Sequence, residues 1–254
     1  MTQPKLLLLD LETSPLITFA WEIYEANAIK VIHDSQILCF AYKWLGEKKV
    51  HVIGQDDFKD YQPGINNDKN VVQALWGLFN ECDALIAHNG RNFDTKVAQA
   101  RMMVRGLSPP APFTQIDTKL IAKRYGRFTS NKLDDLGRTL ELGQKLETGG
   151  FKIWEGCLAG DKKSWRKMKK YNKQDVALLE QVYLRLRPWI DNHPSIGLMN
   201  GEDNVCPKCG GGPMKLSKKR RYAKVGWAWQ YQCQNCGGYS TIRKREQSAV
   251  HFVN

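Results

Sequence analysis

Long hydrophobic runs are missing from this sequence. No apolar stretch approaches the 18 or so residues of a membrane span. Residues 1–5 leave no room for a secretory leader before the first apolar run, so an intracellular, cytoplasmic location is expected. Cysteine usage excludes a disulfide framework: four of the seven fall in two Cys-x-x-Cys pairs near the C-terminus, and Cys39, Cys82 and Cys157 are scattered among apolar neighbours as small buried residues. No internal repeat is present. Acids are scarce at the C-terminal end. After Pro194 only Glu202, Asp203 and Glu246 oppose ten Lys and Arg residues, a net +7 of the chain's +12. Such a segment calls for a polyanionic partner, most often nucleic acid, or else forms a solubilising face. Otherwise 42% hydrophobic and 25% charged residues over 254 positions suit a globular chain with one sizeable core and a small appendage. No membrane partner and no particular oligomeric state is implied.

What is present is organised around Leu6-Leu7-Leu8-Leu9-Asp10-Leu11-Glu12-Thr13. Four apolar residues ended by polar ones suit a strand buried on both faces. Strand side chains alternate, so Asp10 and Glu12 point the same way, with Cα atoms roughly 6.6 Å apart. Two carboxylates that close repel unless a cation sits between them, and carboxylate oxygen suits Mg²⁺ or Mn²⁺. The plainer reading is a strand ending in solvent, so the pair needs partners elsewhere.

Further along, Ile37–Leu45 and Lys49–Ile53 read as a hairpin turned at Gly46-Glu47-Lys48. A helix capped by Asp68 or Asn70 is expected to about Cys82, followed by a short strand over Ala84–Ala87. Further helices are expected from Asp94 to Val104, from Ile116 and Asp117 through Lys123, from Lys132 to Leu142, and from a capping Asp161 to about Leu186. Ser14–Ser35, with Phe19, Trp21 and Tyr24, reads as a loop, and Gly143–Gly150 as loose chain. This is an α/β or α+β pattern. Pro188, Asn192, His193, Pro194 and Gly197 mark a linker, dividing the chain into residues 1–194 and 195–254.

Two later segments supply the partners. The polar turn His88-Asn89-Gly90-Arg91-Asn92-Phe93-Asp94 opens a helix, where Asp94 could be an ordinary N-cap; Asp117 has the same look. In Tyr171-Asn172-Lys173-Gln174-Asp175, Tyr171 and Asp175 are four apart and share a helix face, at the border of an apolar stripe. Asn89 braces its turn or contacts substrate, and His88 reads as a loop residue. The lysines between Lys162 and Lys173 read mostly as a solvated helix face.

Together, Leu9-Asp10-Leu11-Glu12-Thr13, Asn89 to Asp94 and Tyr171 to Asp175 resemble the three exonuclease motifs of the DEDD superfamily, tyrosine subtype, which includes the proofreading domains of family-B DNA polymerases. The resemblance covers about residues 5 to 190 and implies an RNase H-like mixed sheet flanked by helices. It implies two Mg²⁺ or Mn²⁺ ions about 4 Å apart. By that analogy Asp10 bridges both ions, Glu12 and Asp175 hold the one carrying the attacking water, Asp94 holds the second, and Tyr171 orients the water. The implied activity is a stand-alone 3′-to-5′ exonuclease releasing 5′-mononucleotides from DNA, preferably single-stranded. An exoribonuclease is the alternative. A nucleic-acid-binding protein that does not cut is the alternative of another class.

Cys206-Pro207-Lys208-Cys209-Gly210 and Cys233-Gln234-Asn235-Cys236-Gly237 have the spacing of a structural Zn²⁺ site of zinc-ribbon type. Between them Lys219, Arg220 and Arg221 are candidate phosphate contacts. Trp227, Trp229 and Tyr231 share a strand face, and Trp229 is a candidate stacking residue, unless these rings pack the ribbon.

Overall fold

The computed structural model describes residues 4–22, 24, 27–144, 150–222, 227–244 and 250–253. Among them, no helix is long and apolar enough to cross a membrane. In chain order the elements begin with β1 (Leu6–Thr13), β2 (Ile17–Phe19), β3 (Lys30–His33), β4 (Ile37–Trp44) and β5 (His51–Gly54). There follow α1 (Lys69–Glu81), β6 (Ala84–Ala87), α2 (Asp94–Val104), β7 (Thr114–Asp117), α3 (Thr118–Tyr125), α4 (Leu133–Thr139), α5 (Lys152–Leu158) and α6 (Lys162–Leu186). The C-terminal segment holds α7 (Ile196–Asn200), β8 (Met214–Tyr222), β9 (Trp227–Cys233), β10 (Tyr239–Lys244) and β11 (Val250–Val253).

The apolar run of β1 is explained by its central place in a five-stranded sheet ordered β5-β4-β1-β6-β7. It pairs antiparallel with β4 and parallel with β6, and β6 pairs parallel with β7. Its two faces feed two cores. Leu6 and Leu8 pack with Val176, Leu179, Val182 and Tyr183 of α6. Leu7, Leu9 and Leu11 pack with Val71, Leu75 and Phe79 of α1 and with Ala98 and Met102 of α2. Each leucine so buried contributes about 1.5–3 kcal/mol. This is the mixed, helix-flanked sheet of an RNase H-like fold. The expected hairpin is β4–β5, in register from Cys39 opposite Gly54 to Tyr42 opposite His51.

Several local expectations are corrected. The helix expected from Ile116 begins two residues later; Ile116 and Asp117 close the edge strand β7, and Asp117 then caps α3. Four residues, three of them polar, carry too little alternation to announce a strand; β6 alongside makes them one. The expected loop between Ser14 and Ser35 contains the paired strands β2 and β3, whose apolar side chains stay exposed. A helix, α5, follows the loose segment, of which residues 145–149 lie outside the described residues, as do Lys224, Arg245 and Glu246 of the basic C-terminal segment.

Neither Asp68 nor Asn70 caps α1 through its side chain. The Asp68 carboxylate is fully buried and accepts from Arg101 Nε (2.6 Å), Arg105 Nε (2.9 Å) and the Ile37 amide (3.2 Å), tying α1, α2 and β4 together. Removing one partner of a buried pair strands the other charge. Asp68→Ala is therefore expected to lower unfolding free energy by about 3–5 kcal/mol in urea titration. A loss below about 1 kcal/mol would show that Arg101 finds water readily.

Candidate active site

Pairing with β6 covers β1 only from Leu6 to Leu8, whereas β4 accompanies it to Thr13, with a register shift between Glu12 and Thr13. The end of β1 therefore protrudes beyond its parallel neighbour. There the even-numbered face that buries Leu6 and Leu8 against α6 continues as Asp10 and Glu12. On α6, Asp175 is fully buried and faces the same place. One carboxylate oxygen from each of Asp10, Glu12 and Asp175 lies within 4.8 Å of the other two. Two negative charges so close repel by on the order of 3 kcal/mol at an effective dielectric constant of about 20. Lys169, one and a half turns earlier on α6, is engaged by Asp56 and Asp57 at 2.7 Å each.

Asp94 approaches β1 from the α1/α2 layer. It is buried at the first turn of α2, one residue inside the N-cap position, which Phe93 holds; its Oδ1 accepts the Leu11 amide at 3.2 Å. The N-cap reading of Asp94 is thus replaced by a contact with the residue between Asp10 and Glu12. Tyr171 sits one turn before Asp175, half-buried against Leu38, Cys39 and Trp165. The thiol of Cys39, behind the carboxylates, is pushed well above its ordinary value by burial and then by the Glu12 charge. Burial likewise raises Cys82 and Cys157 to about 12, so these three remain inert thiols.

The turn carrying Asp94 is rigidly held. Asn89 has a left-handed φ of 71°, and its amide donates to Asp117 Oδ1 at 3.1 Å. Arg91 N donates to Asp117 Oδ2 at 3.2 Å. A Cβ on Gly90 would lie 2.5 Å from that of Ala87, so only glycine fits there. The His88 ring nitrogens meet Thr118 Oγ1 (2.8 Å) and the Asn131 carbonyl (2.9 Å), making His88 a strut of the turn.

Two residues escaped the sequence reading. Asn172 Nδ2 donates to Asp10 Oδ2 (2.7 Å) and to the Asp10 carbonyl (3.1 Å), fixing that carboxylate. Its signal was available: Asn172 continues the stripe of Val176, Leu179 and Tyr183 at alternating steps of four and three, a polar residue at a core position. Asp117 was seen only as a cap; it also clamps the Asn89–Arg91 turn, and no local pattern announces that.

Three convergent carboxylates, acceptor-only when ionised, form a donor set that fits a hard divalent cation. A second cluster lies in the C-terminal segment, where Cys206, Cys209, Cys233 and Cys236 are grouped within 4.8 Å. The Sγ atoms of Cys206 and Cys236, and of Cys209 and Cys233, are 3.7 Å apart, far beyond a disulfide bond. That separation matches the roughly 3.8 Å edge of a tetrahedron with metal–sulfur bonds of about 2.3 Å. Amides of Gly211, Asn235 and Cys236 donate to the sulfurs. Hydrogen bonds from the Cys206 and Cys236 thiols hold Cys209 below the usual thiol range. The four-cysteine cluster fits a zinc module.

Arg220 lies over the rings of Trp227 (4.2 Å) and Trp229 (4.9 Å) on one face of β8–β9. Lys219 and Arg221 are also exposed.

A family model described as the RNase_H superfamily matches residues 33–187. The chain belongs to the RNase H superfamily. Within that match lie Asp94, Tyr171 and Asp175; Asp10 and Glu12 precede it and join the same site through the geometry of β1. This RNase H-superfamily chain is 24% identical over 194 residues to a PolC-type DNA polymerase III of Ureaplasma parvum serovar 3 (strain ATCC 700970), covering 74% of the chain and 13% of that protein. Its fold resembles part of the family B DNA polymerase from the hyperthermophilic archaeon Pyrobaculum calidifontis, with a TM-score of 0.54, 13% identity, and coverage of 74% of this chain and 25% of that one. Both likenesses are to a minor portion of a much longer protein.

Proposed function

We propose that this chain is a divalent-metal-dependent 3′-to-5′ exonuclease acting on single-stranded DNA and belonging to the DEDD group, tyrosine subtype. The observation that carries this reading is the convergence of Asp10, Glu12 and Asp175 within 4.8 Å, with Asp94 anchored on Leu11 between the first two. Asp10, Glu12 and Asp175 would hold one Mg²⁺ or Mn²⁺ ion, and Asp10 with Asp94 a second. Such ions, when bound, supply a water acidic enough to ionise near neutral pH and a counter-charge for the leaving oxygen. Asn172 holds Asp10 in its binding rotamer. Tyr171, one turn from Asp175, positions the attacking water through its hydroxyl. The four thiols would hold one structural Zn²⁺, in a basic ribbon module starting near residue 195.

Likeness to DNA polymerases supports DNA over RNA, although the acids recognise phosphate common to both. Matched 5′-labelled DNA and RNA single strands, incubated with Mg²⁺ or Mn²⁺, test the reading. DNA shortened one nucleotide at a time from its 3′ end is the expected outcome. Faster shortening of RNA would make the chain an exoribonuclease, and salt-sensitive binding without turnover would make it a binding protein. Tyr171→Phe is expected to slow hydrolysis roughly 10- to 100-fold, the worth of one hydrogen bond to a charged group, and to leave metal affinity unchanged. An equal loss of metal affinity would remove Tyr171 from this role.

A further inference from the structure

Two clefts share Tyr125 and together join the turn that carries Asp94 to the cysteine-bearing segment. The first, of about 140 Å³, runs along the edge strand β7 and is bordered by Arg91, Arg124 and Tyr125. The second, of about 400 Å³, lies between Tyr125, Trp189 and Asp191 on one side and Arg221, Tyr239 and Ser240 on the other. Arg91 belongs to the same turn as Asp94, so the pair of clefts begins at that turn.

The chemistry of the lining is specific. Trp189 is 63% exposed and Tyr239 46% exposed, so two aromatic faces are open to the second cleft. Arg91, Arg124 and Arg221 are exposed cations along the route. The acids on it are Asp117, whose oxygens accept four backbone amides, and Asp191. Lys208 is buried, and its ammonium is bound to the Pro188 carbonyl at 2.8 Å, which fixes one wall.

Strand geometry separates this surface from the tryptophan ladder. Arg220 opposes Trp229 and Arg221 opposes Ala228, so neighbouring arginines face opposite sides of the sheet. Arg220 is engaged by Trp227 and Trp229, whereas Arg221 lines the cleft.

We propose that the two clefts form one path for single-stranded nucleic acid leading from the Asp94 turn to the C-terminal sheet. Trp189 and Tyr239 stack bases, and Arg91, Arg124 and Arg221 contact phosphates. The direction of travel rests on the exonuclease reading; the binding does not. A duplex has its bases already stacked and offers nothing to the rings.

The test uses fluorescence anisotropy of the full, zinc-loaded chain with 5′-labelled oligo-dT and oligo-U of 3 to 20 nucleotides, without added Mg²⁺ or Mn²⁺. Affinity should rise with length and then level off, and duplex should compete poorly. Trp189→Ala combined with Arg221→Ala should weaken binding of the 20-mer by roughly tenfold or more and lower the salt slope by about 0.7, leaving the trimer unaffected. Lys48→Ala combined with Lys49→Ala, exposed in the turn between β4 and β5 at the far edge of the sheet from β7, should bind as the parent does. Equal affinity of the first double variant for the 20-mer, equal competition by duplex, or loss confined to the second double variant would each overturn the path. Turnover of the trimer with Mg²⁺ reports separately on hydrolysis. If no variant or parent cuts while the first double variant still loses long-strand affinity, the path stands and the exonuclease reading falls. The dT and U series distinguish DNA from RNA as the strand held.

Discussion

Asp175→Asn is expected to lose hydrolysis by on the order of 10³-fold or more while remaining folded. The substitution keeps the size of a fully buried side chain and removes one of three charges grouped within 4.8 Å. Without metal, those charges repel, so the variant should melt no lower than the parent in metal-free buffer. Adding Mg²⁺ or Mn²⁺ should raise the melting temperature of the parent, because an ion that binds only the folded state stabilises it. In Asp175→Asn that rise should shrink or vanish. Activity and metal-induced stabilisation are thus predicted to fall together, and Asp10→Asn should behave alike. Full activity in either variant, or a metal response untouched by both, would take the three acids out of the proposed chemistry.

How much of this site could be read in the sequence depended on how far each partner lay along the chain. Asp10 and Glu12 were legible because two-residue alternation is local, and their leucine neighbours announced a strand buried on both faces. Asp175 was legible as an acid beside a long helical stripe. Asp94 was ambiguous, since its local signal is that of a helix cap and its bond to Leu11 spans 83 residues. Asp68 gave the wrong signal for the same reason: it precedes a helix, but its partners Arg101 and Arg105 are 33 and 37 residues away. At Asp68 the buried long-range partners outcompeted the local backbone amides. Among the elements, α6 with its capping Asp161 was legible from periodicity and cap chemistry together. The arm of β2 and β3 was not, because Phe19, Trp21 and Val31 stay exposed and no alternation of buried and open positions marks it. The basic and aromatic residues before the second cysteine pair were legible as a cluster, but only strand register shows that Arg220 and Arg221 serve opposite faces.

Removing zinc should unfold the C-terminal sheet and leave the β1–α6 region standing. Among residues 195–222 and 227–242, the buried apolar side chains are Ile196, Pro207 and the cysteines Cys206 and Cys233, so little besides the thiol cluster could hold β8, β9 and β10 together. A small unit with so few buried groups depends on its metal, and structural zinc in comparable modules contributes an apparent 10–16 kcal/mol or so. The two knuckles repeat one plan: Gly210 N bonds Cys206 O, and Gly237 N bonds Cys233 O, at 2.8 and 3.0 Å. Each turn places two sulfurs and aims amides at them, an arrangement suited to thiolates around a cation. A strong chelator, or Cys209→Ser, should therefore bring rapid amide exchange and protease cleavage within residues 196–244. The Asp68–Arg101 network and the β1 core lie outside this segment and should keep their protection. Mass spectrometry should find one zinc per chain before chelation. Because zinc binding requires thiolates, its affinity should fall as pH falls. A metal-free chain whose C-terminal sheet stays fully protected would show that its attachment to the end of α6, through Lys208 on Pro188, supplies the stability assigned to the metal.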